Sequence, residues 1–199
     1  MQMNYDLAEP PTTMDFGSMT DADAKGFLDW FAFQSKPRVE LLTDFVRATP
    51  GFENWIPDHT PQSLLPLGEW FKAHVKSRPR SIKESKALAE SVPDWLRNVK
   101  LPDWDLDTQS ISLTLDIGMY LCQCLLANLK GLGWYLETKQ KRDADYHLPV
   151  LEGFGPMRFN PIRIVQNVAY SFVEDSKPSS ELNRIYQFWA SKAVTKAIP

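Results

Sequence analysis

Cysteine is nearly absent from this chain, and that absence excludes a good deal. The two present, Cys122 and Cys124, stand two apart in an apolar run. This is not the spacing of a zinc pair, and neighbours at i and i+2 on a helix point apart. They read as reduced, buried thiols of a cytoplasmic protein. The three histidines, His59, His74 and His147, fall in no H-E-x-x-H or H-x-H arrangement. No metal site, cofactor or catalytic residue is therefore expected. A G-x-S-x-G elbow, a G-x-x-x-x-G-K-[ST] loop and a G-x-G-x-x-G turn are all missing. Gly131-Leu132-Gly133 and Gly153-Phe154-Gly155 read instead as helix-stop and turn glycines. No basic stretch precedes an apolar one near the first residue, so no secretion signal is read. Positive charge is not in excess either. The net charge of −3 gives no basic field, and no nucleic-acid partner is expected.

What is present is enough for a core. A chain of 199 residues buries roughly 70% of its unfolded surface when compact. With 43% apolar and 24% charged residues, it does not have the composition of a disordered chain. Seven Trp and eleven Phe point to a bulky core, or to an aromatic-lined pocket or interface.

Residues 1–18 read as a flexible leader, broken by Pro10-Pro11 and extended or disordered, or wrapped on the rest. Residues 19–199 read as a single mainly helical domain. Thr20 is a helix N-cap, with Asp21 and Asp23 in the first turn. Phe27, Leu28, Trp30 and Phe31 follow at helical spacing. Pro37 is placed to begin a second helix, whose apolar side is Val39, Leu41, Leu42, Phe45 and Val46. Thr60-Pro61 starts another, with Leu64, Leu67, Trp70, Phe71 and Val75 as its stripe, and Arg78-Pro79 ends it. A weaker helix covers roughly 81–91, and Pro93 opens a short one through Trp95 and Leu96.

The longest apolar segment lies at about 107–130. Its first residues alternate, as a strand does, but about twenty residues without a turn signal favour a helix. Being apolar on two sides, that helix should be buried. Asp116 and Gln123 within it argue against a membrane span, since an Asp alone opposes insertion by roughly 3 kcal/mol. Trp134–Thr138 and Leu148–Leu151 read as two strands of a hairpin joined by 139–147. Pro161 begins a helix, and Ser179 or Ser180 caps the last one. The fold expected is mainly α with a small β-hairpin, a helical bundle around the central buried helix.

A set of short motifs resembles a family. They are Ser63-Leu64-Leu65-Pro66-Leu67 before Trp70, Asp116-Ile117-Gly118-Met119-Tyr120, and Gly133-Trp134 with Thr138-Lys139. Pro149-Val150 with Gly153-Phe154, Asn160-Pro161 before Ile164-Val165, and the tail Leu182, Ile185-Tyr186 and Trp189 complete them. Together they span about two thirds of the chain and resemble an uncharacterised family of small bacterial helical proteins. What the resemblance implies is a helical fold and an immunity-like or accessory role beside a partner protein, with no activity to transfer.

Chemistry concentrates at few positions. Asp116 is an acid in the most apolar segment, so it needs a partner or must be neutral. The structural reading pairs it with a helix terminus or with an Arg such as Arg163. The functional reading makes it a pocket acid with a raised pKa, in a small-molecule binder or enzyme whose pocket lies near Asp116, Trp134 and Lys139. Residues 71–100 hold eight Lys or Arg against three acids, and residues 1–30 hold six acids against Lys25. Such runs are solvated faces, or the two dock on each other. Lys139, Lys141 and Arg142 sit at the hairpin tip, beside Trp134 and Tyr135. The tip is solvated or meets an acidic partner, and Trp134 either plugs the hairpin onto the core or anchors that partner. The function expected is non-enzymatic binding of another protein.

Overall fold

A computed structural model describes residues 5–92 and 101–194. The short helix expected from Pro93 lies outside the described residues. Those described are mainly helical, with two small antiparallel sheets.

Helix α1 runs Asp21–Arg47. Thr20 and Asp23 close a capping box at its start: the Thr20 hydroxyl accepts from the Asp23 amide at 3.1 Å, and the Asp23 carboxylate accepts in return. Pro37 does not begin a second helix, as its N1 chemistry predicts, but lies inside this one. It deprives the Phe33 carbonyl of its donor. Phe33 and Pro37 both sit on the exposed side, where solvent replaces that bond, and the apolar residues on the other side keep the helix continuous.

A 3-10 turn at Pro61–Ser63 leads into α2, Leu64–His74. Its buried face is Leu64, Leu67, Trp70 and Phe71, the stripe read from the sequence. Strand β1, Ser77–Pro79, and strand β2, Trp104–Leu106, pair antiparallel around α3, Ile82–Ser91. This pairing was not expected, because each strand is three residues long and neither shows a clean alternation. The basic residues nearby pair locally, Arg78 with Glu84 and Arg80 with Asp105. Among the described residues, none pairs with an acid of the first thirty.

Helix α4, Thr108–Asn128, is the central buried helix. Asp107 caps it, accepting from the Ser110 amide at 2.7 Å. By length and composition it could cross a membrane, but 78% of its most apolar stretch is buried inside the fold. It packs against α1 on one side and α5, Pro161–Val173, on the other. A Cβ at Gly118 would stand 3.3 Å from the Pro161 carbonyl oxygen, so the two helices meet closely there.

The expected hairpin is two strands of a three-stranded sheet. Strand β3, Gly133–Leu136, pairs with β4, Pro149–Phe154, and β4 with β5, Met157–Phe159. The short third strand is joined to β4 by a tight turn at Gly155-Pro156, and Gly153, also at positive φ, sits in the irregular end of β4, so β5 lay hidden in a glycine-rich segment. Helix α6, Glu181–Ala190, brings Trp189 edge-on to Phe154 and Phe159 at 4.9 and 5.4 Å.

Residues 5–18, expected as a flexible leader, form neither helix nor strand but lie against the helices as a strap. Tyr5 is buried, the Ala8 amide donates to the Ser112 hydroxyl at 2.7 Å, and Phe16 meets Phe27 edge-on at 5.1 Å.

Candidate functional site

Asp116 has no exposed surface. Its partner is Arg38 of α1, not Arg163, which is exposed on α5. The Arg38 guanidinium grips both carboxylate oxygens, Nε to Oδ1 at 2.8 Å and Nη2 to Oδ2 at 2.7 Å. The Tyr5 hydroxyl adds a third, short hydrogen bond to Oδ2. Nη2 also donates to the Asp6 carbonyl at 2.9 Å, which ties the strap to the pair.

Burial pushes the Asp116 carboxyl above its ordinary range, and the Arg38 and Tyr5 donors oppose it. Burial acts to lower Arg38, but the hydrogen bonds and charge of the neighbouring Asp116 outweigh it and raise Arg38. A guanidinium does not deprotonate in proteins, so a neutral Asp116 would leave a buried cation alone. The ionised pair is the consistent state. Burial and the neighbouring Asp116 push the Tyr5 phenol far up, so it remains a donor. The carboxylate is thus occupied, and its arrangement binds three parts of the chain together.

Trp134 is half-buried on β3 and packs edge-on against Phe31 at 5.9 Å. That contact plugs the sheet onto α1. Tyr135 donates to Glu137 at 2.9 Å and lies under the Arg158 guanidinium, 4.3 Å from its ring. Asp116 is not gathered with these residues.

The loop 137–147 is built around Glu137. Its carboxylate accepts the amides of Lys139 at 2.8 Å and Gln140 at 3.1 Å, and pairs with Arg158 at 3.5 Å. These amides and Tyr135, with a lesser contribution from Arg158, hold the Glu137 carboxyl below its ordinary range against the opposing effect of burial. Arg158 also grips Asp143, and Asn160 donates to Asp145 at 2.7 Å. His147, at positive φ, closes the loop. Its amide donates to the Glu137 carbonyl at 2.9 Å, and its ring stacks on Tyr146. The ring nitrogens face the Phe16 carbonyl at 3.2 Å and Asp21 at 2.9 Å. Lys139, Lys141 and Arg142 are exposed on this frame, and among the described residues their side chains make no ion pair.

Sequence reasoning missed Glu137, Arg158, Arg38 and Tyr5. A signal existed for two of them: Arg38 interrupts an apolar helix side, and Tyr5 is an aromatic in a polar leader.

A second polar group lines α4. The Tyr120 and Ser63 hydroxyls are 2.5 Å apart, and His59 at positive φ meets Gln123 at 3.1 Å, which donates to Ser35. Burial pushes the Cys124 thiol up to about 12 and Cys122 well above its ordinary value, so neither is a thiolate nucleophile. No group of three or more His, Cys, Asp or Glu side chains among the described residues could hold a metal ion. Comparisons of the chain with protein-family models, with curated proteins and with solved structures found no match.

Proposed function

We propose that this protein works without chemistry of its own, by binding an acidic surface of another protein through the 137–147 loop, as an immunity-like or accessory factor does. One observation carries the reading. Among the described residues three exposed cations, Lys139, Lys141 and Arg142, lack ion partners, on a loop whose own acids pair with Arg158, Asn160 and backbone amides. A loop held in shape before contact loses little conformational freedom on binding. Unpaired charges of one sign steer an oppositely charged partner and set register. Tyr135, half-buried under Arg158, stands at the edge of the same surface. The small bacterial helical proteins that the sequence motifs resemble suit the same role.

The test is charge reversal of all three cations to Glu. Folding should be little changed, within about 0.5 kcal/mol, as at other exposed positions. Immobilised protein should retain an acidic partner from native lysate at low salt and release it as salt rises. The reversed variant should lose that capture and slow association at least tenfold. Capture that survives the reversal would remove the loop from the interface and overturn the reading.

A further inference from the structure

A cavity lies under the strap, away from the charged loop. Its volume is about 210 Å³. Its apolar lining is Met14 and Phe16 of the strap, Ile111 and Leu115 of α4, and Leu148 and Ile162. Thr114 also lines it, but its hydroxyl is already given to the Ile111 carbonyl at 2.7 Å. Two polar side chains remain, Arg163 and Gln166, one turn apart on α5. Arg163 is the one charged residue of the lining. Among the described residues, neither side chain has a hydrogen-bond or ion partner, although the Arg163 amide is used by the Asn160 cap.

The walls are held in place. His147 faces the Phe16 carbonyl through Nδ1 at 3.2 Å, and Leu148 follows it directly in the chain. Phe16 is further wedged against Phe27. The cavity is therefore preformed on the α4 and α5 sides, and its strap side is pinned at Phe16. Met14 is 38% exposed and stands at the outside.

The chemistry of the lining selects an occupant. An apolar cavity of about 150 Å³ stays dry and takes benzene, so this one holds a ring or a short acyl chain. One guanidinium at the rim neutralises one negative charge, and its planar fork matches a carboxylate. A phosphate dianion would call for more than one cation, and Arg163 is the one charged residue of the lining. We propose that this cavity binds a small hydrophobic monocarboxylate, its apolar body between α4, α5 and the strap and its carboxylate on Arg163, with Gln166 donating beside it. This site is independent of the partner surface on the 137–147 loop.

The experiment titrates the full chain with octanoate and benzoate, and with the uncharged octanol and benzyl alcohol. Binding is followed by calorimetry and by methyl NMR of Ile111, Leu115, Leu148 and Ile162. Carboxylates should shift these four methyl groups in a saturable way and bind at least tenfold more tightly than the matching alcohols. Arg163→Glu, an exposed change that leaves thermal stability in place, should erase that preference while alcohol binding persists. Shifts spread over other methyl groups, equal affinity for acid and alcohol, or undiminished carboxylate binding in Arg163→Glu would each overturn the proposal. So would the absence of any shift at millimolar octanoate.

Discussion

Asp116 and Glu137 are both acids at the centre of a hydrogen-bond network that includes one tyrosine and one arginine. The partners differ in where they come from. Tyr5 and Arg38 stand 111 and 78 residues from Asp116 along the chain. Glu137 takes Tyr135, Lys139 and Gln140 from its immediate neighbourhood, with only Arg158 more distant. The first network joins the strap, α1 and α4, and its charge is used up inside the fold. The second shapes one surface loop and leaves three cations outside it. An acid that gathers distant segments specifies the fold, whereas one that gathers neighbours shapes a local surface.

Breaking the first network should have the largest effect. Asp116→Ala leaves Arg38 buried and unpaired, which destabilises by about 3–5 kcal/mol. Denaturant unfolding measures it, and a loss under 1 kcal/mol would show that Arg38 finds water or another acid. Tyr5→Phe removes one hydrogen bond to a charged group and keeps the ring. The expected loss is about 2 kcal/mol. Hydrogen exchange should show it as earlier opening of the strap than of α4, and equal opening would dissolve the distinction between strap and core.

The second network sharpens the comparison through pH. Glu137 has a folded-state pKa below its ordinary value. Its contribution is therefore fully present above the ordinary glutamate pKa and disappears as pH falls through the depressed value. Amide protection at Lys139 and Gln140, the exchange rate relative to the free amide at the same pH, should hold at neutral pH and be lost only in acid below the usual glutamate range. Glu137→Ala, which removes the acceptor, should release the same amides at every pH, with α4 unaffected. Loosening of α4 in that variant would mean that the loop is part of the core.

The helical plan was legible because each helix carries its own start and its own stripe. Thr20 with Asp23, Thr60-Pro61 and Asn160-Pro161 all mark where helices begin. The length of the apolar run settled α4 against its early alternation. The same local logic misread Pro37, since N1 preference carries no information about which side of a longer helix a proline occupies. Strands β1 and β2 were missed because their pairing spans more than twenty residues and neither strand is periodic. Strand β5 hid in a glycine-rich turn. Asp116 announced that it needed a partner, but Arg163 and Arg38 were equally good by composition. Choosing between them needs the crossing of α1 over α4, which no spacing within either helix encodes. Lys139, Lys141 and Arg142 were legible as exposed charge, whereas the Glu137 frame beneath them was not, since its acceptors are read by backbone amides.

The two thiols of α4 have a practical consequence. Cys122 and Cys124 are sealed among side chains, and burial keeps both protonated at neutral pH. An alkylating reagent added to the native protein therefore has nothing to attack until the helix separates from its neighbours. The modification rate then counts how often the interior opens, set by conformational opening and not by reagent reactivity. The chain carries a clock for its own breathing, placed at the helix that packs against α1, α5 and α6.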